Sequence, residues 1–441
     1  MSNVKEMGKK YNLYSWSAQN KVNPPNIVKA EGIYFWDEDG NKYTDMSAQL
    51  VNANLGHGHK KIIQAIKDQA EKLAYIAPSY ACDVRSEAAK LMVETAGGHF
   101  RKVFFVNAGA EANENAIKMA KAVTGRWKVF SMFRSYHGAT FGASALTGES
   151  RRFIAEPGIP GFIKFDGPYA YRAPKQCNFK SEEDITDFYL TLLENQLIYE
   201  GTDAIAAIFM ETVVGSNGIL IPPKGYIEGV RALCTKYGIM MVCDEVMAGF
   251  GRTGKWFAYK NWDVEPDMIT FAKGSTCGYF PIGGVIVNEK IANYFDDNKM
   301  FCGLTYSAHP IGCATILATM EAYKEEKVFD NVLKVGKVLA ELLEGLKAKH
   351  ACVGDVRYIG LFSCLELVKD KATKEPMVPY GKDPEGIMPK IIGMLKAEGF
   401  STYSIENMIH VSPPLIITEE QLRDAMKIMD KVLDSVDNMI K

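Results

Sequence analysis

Between about residue 100 and residue 290, short apolar runs alternate with stretches of helical periodicity, and this alternation restricts the fold more than any other feature of the chain. Val103-Phe104-Phe105-Val106 runs into the small-residue turn Asn107-Ala108-Gly109-Ala110. Ala112, Ala116, Met119, Ala120 and Val123 then recur at helical spacing until Gly125, where a left-handed stop is expected. Val129 to Phe133 reads as the next strand. A second unit follows: the apolar run Ala204 to Met210, the Pro222-Pro223 break, and the stripe Tyr226, Ile227, Val230, Leu233, Cys234 and Tyr237, stopped by Gly238. Ile239 to Cys243 is apolar throughout, as a strand covered on both faces must be, and Met268 to Phe271 and Val285 to Val287 continue the series. Strands that alternate with helices imply an α/β domain built on a mostly parallel sheet.

Outside that region the texture changes. Two long amphipathic helices are expected over residues 311–350. A strand near Leu361 to Leu367, a helix near Ile387 to Ala397, a strand near Ile409 to Ser412 and a last helix from Thr418 make a smaller α+β domain over residues 311–441. Residues 1–60 hold only short strands, Ile33 to Trp36 and Lys42 to Asp45. This segment is too small to bury a core alone and is expected to pack on the small domain or on a second subunit, leaving 61–310 as the large domain.

With 51 basic and 53 acidic residues the formal charge is −2, which lacks the basic footprint of a nucleic-acid partner. No apolar run approaches bilayer length, and Met1 to Trp16 has no apolar stretch ending in a cleavage site. The nine cysteines form no CxxC pair and read as reduced thiols of a cytoplasmic protein rather than a disulfide framework or zinc site.

Three features fall at the carboxyl ends of expected strands, where ligands bind in open α/β sheets. In Asn107-Ala-Gly-Ala-Glu-Ala-Asn-Glu114 tiny residues open a helix, so backbone N–H groups and the helix dipole can meet a phosphate. By itself this is also what an ordinary strand-to-helix turn looks like. Asp244-Glu245 follows a buried strand, and a carboxylate there needs a metal, an arginine or a protonated ring nitrogen. A magnesium-dependent nucleotide hydrolase would require a GxxxxGK[ST] loop, which the chain lacks. Lys273 sits between Ala272 and Gly274 at the end of an apolar strand. A lysine in a dry pocket loses basicity and becomes a nucleophile toward carbonyls. A phosphate cradle, a buried carboxylate and a desolvated lysine are what a phosphorylated pyridine aldehyde requires.

The stretch Met241-Val-Cys-Asp-Glu-Val-Met-Ala-Gly-Phe-Gly-Arg-Thr-Gly254, followed by Asp267-Met-Ile-Thr-Phe-Ala-Lys273-Gly-Ser, resembles the signature of class III (omega) aminotransferases. The resemblance continues through Ser135-Tyr-His-Gly138, Glu211-Thr-Val213, Gly303-Leu-Thr-Tyr-Ser-Ala-His-Pro310 and Ser412-Pro-Pro-Leu415, and so covers nearly the whole chain. It implies a fold-type-I, aspartate-aminotransferase-like architecture, pyridoxal 5'-phosphate as cofactor, and a homodimer or homotetramer. Carried over by position, it implies that Lys273 links to the cofactor aldehyde and acts as general base. Asp244 pairs with the pyridine nitrogen, Val246 packs under the ring and Tyr136 stacks above it. Gly109 and Ala110 hold the phosphate, Thr305 reaches the phosphate of the partner subunit's cofactor, and Glu211 lies near cofactor and substrate. His137 stands between support of the site and simple packing.

The substrate side departs from better-known members. The arginines that bind a substrate carboxylate in two branches of the family align with Tyr403 and His410 here, and neither side chain can form a bidentate clamp. The stretch Ser47-Ala-Gln-Leu-Val-Asn52 resembles the taurine–pyruvate or β-alanine–pyruvate branch, placing Leu50, with Tyr403 and His410, at the substrate pocket. The reaction implied is ping-pong transfer of an amino group to a keto acid such as pyruvate or 2-oxoglutarate. The donor is a β- or ω-amino compound: taurine, β-alanine, an amine or a β-amino acyl thioester. An aminomutase, racemase or decarboxylase on the same scaffold is the alternative, and a non-enzymatic protein retaining the fold is a more distant one.

Overall fold

The computed structural model describes residues 4–440; residues 1–3, at the start of the expected N-terminal segment, and residue 441 lie outside the described residues. Its centre is a seven-stranded sheet with the spatial order 100–106, 283–288, 268–271, 240–244, 205–210, 128–132, 162–165. All neighbours are parallel except Gly283–Asn288, which runs antiparallel to both of its partners. Ile205–Met210, Met240–Asp244, Met268–Phe271 and Gly283–Asn288 are buried at every residue. That is why these segments read as continuous apolar runs rather than alternating ones. The expected Ile239 to Cys243 strand is shifted by one residue, so Asp244 is itself the last strand residue.

The helix after the first strand is Gly109–Thr124, closed by Gly125 at φ 69°. Tyr226–Tyr237 is closed by Gly238 at φ 62°. Both stops need a residue without a Cβ penalty in the left-handed region. Among the helices not foreseen from periodicity are three long ones, Lys60–Leu73, Asp83–Ala96 and Glu182–Glu200. Lys60–Leu73 has an inward stripe at helical spacing, Ile62, Ala65, Ile66, Gln69 and Leu73, whose apolar character is broken at Gln69. Glu182–Glu200 does carry a local start signal, a capping box in which Ser181 and Asp184 satisfy each other's backbone N–H groups.

The two ends of the chain are joined. Ile27–Glu31, Tyr34–Asp37 and Lys42–Asp45 form an antiparallel sheet whose last strand pairs in parallel with Phe400–Ser401. A third sheet contains Val353–Ile359, Phe362–Asp370, Met408–Val411 and Ser404–Ile405, with Glu375–Pro376 at its side. The long helices Pro310–Glu325 and Val328–Lys349 bridge these regions, the first packing on Lys60–Leu73 and Asp83–Ala96. Thr418 caps the final helix, Glu419–Asp437, with a second capping box.

Arg252 fastens the three parts together. It is fully buried, and its guanidinium donates to Leu361 O at 2.9 Å, Pro413 O at 2.6 Å and Asn54 Oδ1 at 2.6 Å. All three acceptors are neutral, and burial lowers the group's pKa to about 10. Arg252→Ala strands three buried acceptors and is expected to cost on the order of 3 kcal/mol or more, read as a lower urea midpoint at unchanged slope. Arg252→Lys should recover little, since one ammonium cannot span the fork.

His410, in the third sheet, is completely buried and its Nε2 donates to Ser216 O at 3.0 Å. Burial holds its pKa at about 4, below the ordinary 6.5. Between those values an unfolded chain takes up a proton that the folded chain refuses, so this residue's contribution to stability falls as the pH drops from about 6.5 to about 4. Comparing the pH dependence of Tm in the wild type and in His410→Gln should show that acid-sensitive component missing from the variant. An unchanged acid limb would refute the assignment.

Candidate active site

A cavity of about 760 Å³ opens at the carboxyl ends of the central strands, where four loops bring together side chains far apart in sequence. Asn107 to Ala110 leave strand Phe100–Val106, Tyr136 and His137 follow strand Lys128–Met132, Glu211 follows strand Ile205–Met210, and Lys273 follows strand Met268–Phe271. Asp244 closes its own strand within the same cavity.

Gly109 begins its helix after Ala108, whose side chain cannot cap the first N–H groups. Those donors and the positive end of the helix dipole therefore remain for an anion. A Cβ at Gly109 would lie 2.8 Å from both methyl carbons of Val246. Glycine is thus required for the cradle to close on the residue that forms the cavity floor.

Asp244 is 3% exposed and rigidly held. Its Oδ2 accepts from His137 Nδ1 at 2.7 Å and Asn113 Nδ2 at 2.8 Å, and its Oδ1 accepts from the Val246 N–H at 3.0 Å. Asn113 is in turn oriented by Thr270, whose hydroxyl donates to Asn113 Oδ1 at 2.9 Å. Lys273 sits in a left-handed conformation, φ 44°, a strained state for a side-chain-bearing residue. The turn is held by Ser275 N–H on Ala272 O at 3.0 Å, Thr276 N–H on Lys273 O at 3.1 Å and the Tyr323 hydroxyl on Gly274 O at 2.9 Å. Burial lowers the Lys273 pKa, while the charges of Asp244 and Glu211 oppose the shift. An amine so placed is available as a nucleophile and base.

Glu211 accepts the Tyr136 N–H at 2.9 Å and the Gly215 N–H at 2.8 Å; burial raises its carboxyl to about 7. Through this pair Glu211 fixes the loop that carries Tyr136. The cavity wall also includes Arg151, whose guanidinium lies 3.7 Å from the centre of the Tyr136 ring and 5.5 Å from that of Trp16. Its Nε donates to Glu149 Oε1 at 2.6 Å, and its Nη2 is buried without a hydrogen-bond partner.

Of the residues singled out from the sequence, the cavity gathers Lys273, Asp244, Tyr136, Gly109, Ala110, His137, Glu211, Val246, Leu50 and Tyr403. His137 supports the site through its bond to Asp244. Two residues are placed elsewhere. His410 does not reach the cavity: it stacks behind Tyr403, ring centres 4.4 Å apart, because its strand aims it at the Ser216 carbonyl. Thr305 is exposed on an outer loop, its carbonyl accepting from the Tyr75 hydroxyl at 2.9 Å, and contributes nothing to its own subunit's cavity. Sequence reasoning missed Asn113, Arg151 and Trp16. Asn113 had a signal, lying one helical turn beyond Gly109 on the same face. Arg151 had none; a short 3₁₀ turn, Ser150–Ala155, brings it in.

An anion cradle, a fixed carboxylate across the floor and an amine of lowered basicity suit a phosphorylated pyridine aldehyde, and the cavity is large enough for that group together with a small substrate. Comparisons with known proteins agree. The family model described as Aminotransferase class-III matches residues 16–433. The taurine–pyruvate aminotransferase of Bilophila wadsworthia is 32% identical over 98% of this chain and 97% of its own. The crystal structure of a taurine:2-oxoglutarate aminotransferase from Bifidobacterium kashiwanohense, in complex with PLP and glutamate, is 49% identical and superposes with a TM-score of 0.96 over 99% of this chain and 98% of that one. An omega transaminase from Pseudomonas jessenii in complex with PMP is 28% identical, with a TM-score of 0.94 over 100% and 99% of the two chains. The chain belongs to the class III aminotransferases, pyridoxal-phosphate-dependent enzymes of fold type I that transfer amino groups to keto acids.

Proposed function

We propose that this enzyme takes its amino group from a small β-amino acid or β-amino sulfonate, taurine or β-alanine, and delivers it to pyruvate or 2-oxoglutarate. The observation that carries this reading is Arg151. It is the one arginine on the cavity wall among the described residues, and its buried Nη2 lacks an acceptor that an acid group would supply. Tyr403 occupies the wall where other branches place a clamping arginine, and His410 behind it is neutral at physiological pH because burial holds its pKa at about 4. The acid group is therefore bound on the Trp16–Arg151 side. Relatives that bear taurine in their names support the same donor class.

Pyridoxal phosphate, when bound, supplies the aldehyde that captures the amine and a ring that accepts electrons. The chain supplies the rest. Gly109 and Ala110 offer backbone N–H groups to the phosphate. Asp244, held by His137 and Asn113, keeps a proton on the pyridine nitrogen. Val246 and Tyr136, both on the cavity wall, would hold the cofactor ring between them. Lys273 Nζ removes the proton from the amine-bearing carbon and holds it for return, its basicity matched to the task by burial.

The wider assignments belong to the same proposal. Residues 61–310 act as the cofactor-binding domain, with 1–60 and 311–441 closing over it. The enzyme is a homodimer in which Thr305 reaches the neighbouring cofactor phosphate; its exposed position beside the exposed Tyr75, Tyr306 and Phe301 supports this. Nine free cysteines fit a reducing compartment such as the cytoplasm.

Lys273→Ala should lower kcat by roughly 10²–10⁴-fold or more and remove the lysine-linked visible chromophore; retained activity would refute the role. With pyruvate and 2-oxoglutarate as acceptors, initial rates should favour taurine and β-alanine over 4-aminobutyrate, ornithine and an uncharged primary amine. Arg151→Ala should raise KM for the favoured donors by roughly 10–100-fold. A preference for ornithine or for the uncharged amine would sink the donor assignment.

A further inference from the structure

Glu149 takes no place on the cavity wall, yet it is only 4% exposed and its Oε1 receives the Arg151 Nε–H at 2.6 Å. A buried carboxylate beside a cation could simply neutralise it, but the geometry around Arg151 is more specific. The flat face of the guanidinium is set by the Tyr136 ring at 3.7 Å and flanked by Trp16 at 5.5 Å. Contacts with ring faces hold a cation in place but give its N–H groups no acceptor. The bond to Glu149 supplies one. It engages the Nε edge and so determines which way the remaining nitrogens point, including the buried Nη2 that has no partner.

We propose that Glu149 is the positioning residue for acid-group recognition: it orients Arg151 so that the free edge of the guanidinium presents to the carboxylate or sulfonate of the substrate. A bound acid completes a chain of charges, Glu149–Arg151–substrate, in which the central arginine is shared between a permanent and a visiting anion. Because Tyr136 is held independently through its backbone N–H on Glu211, losing Glu149 loosens the arginine without unseating the ring that covers the cofactor. The inference rests on the reading of Arg151 as the acid-binding group.

The test uses the pyridoxal-phosphate-loaded enzyme and ethanesulfonate, an acid with no amino group that binds without reacting, measured by titration calorimetry. Glu149→Ala is expected to weaken ethanesulfonate binding by roughly 10–100-fold, the range of a charge-assisted hydrogen bond. Glu149→Gln keeps an acceptor for the Arg151 Nε–H and should bind within about threefold of wild type. The Kd for pyridoxal phosphate should move less than about threefold in either variant, a result that general unfolding of the loop would not give. With taurine and an uncharged primary amine as competing donors, the ratio of their kcat/KM values should fall in Glu149→Ala and recover in Glu149→Gln. Equal losses in the two variants, wild-type binding by Glu149→Ala, or a parallel loss of cofactor affinity would each overturn the positioning role. Arg151→Ala separates the two levels. If it weakens ethanesulfonate binding and Glu149→Ala does not, the Glu149 assignment alone fails; if it binds as wild type does, the acid-binding reading of Arg151 fails with it.

Discussion

A carboxylate removed from water at the end of a central strand is the constraint around which the rest of the molecule is arranged. Asp244 is buried, and burying a charge is tolerated only when its lone pairs are occupied and a cation is at hand. Asn113, His137 and the Val246 N–H occupy the lone pairs, and each comes from a different part of the fold. Asn113 lies on the helix that starts at Gly109, His137 on the loop that carries Tyr136, and Val246 on the turn that packs against Gly109. The cradle, the stacking ring and the floor are thereby tied to one acid.

Much of this was legible in the chain because the parallel sheet imposes a strong sequence signature. Strands covered on both faces must be apolar at every residue, and where the apolar run stops the cavity opens; the places of Asp244 and Lys273 in it were legible that way. Glu182–Glu200 was hidden because its apolar residues are spread around the helix and its capping box is the local signal, whereas the inward stripe of Lys60–Leu73 is broken at Gln69. Asn113 was readable by helical spacing from Gly109. Arg151 and Trp16 were not, since a 3₁₀ turn and an N-terminal segment bring them to the cavity with no periodicity to mark it, and Glu149 reaches it only through Arg151. His410 shows the opposite difficulty. Alignment with an arginine of other branches suggested a pocket residue, but a residue in a buried strand reaches a pocket only if nothing bulkier stands in front of it, and Tyr403 does.

The Tyr403 side of the cavity is neutral. Tyr403 is a phenol whose ionisation burial further suppresses, and the imidazole behind it carries no charge at physiological pH. Beside the charged groups Lys273, Asp244 and Glu211, Arg151 is the one arginine on the cavity wall among the described residues, so under the proposed reading a dicarboxylic acceptor would find no second guanidinium clamp there.

The pairing of Phe400–Ser401 with Lys42–Asp45 has a consequence for how the protein is made. The strand Lys42–Asp45 leaves the ribosome early, and its parallel neighbour follows only after most of the chain, an interval on the order of tens of seconds at usual elongation rates. Throughout that time the N-terminal sheet presents an unpaired edge, the feature that invites strand addition from other chains. Arg252 is likewise without its Leu361 and Pro413 acceptors until the same late stage. The N-terminal strands can pair with one another early, but the contact with Phe400–Ser401 closes late, and a chaperone that shields this edge would act chiefly on nascent chains.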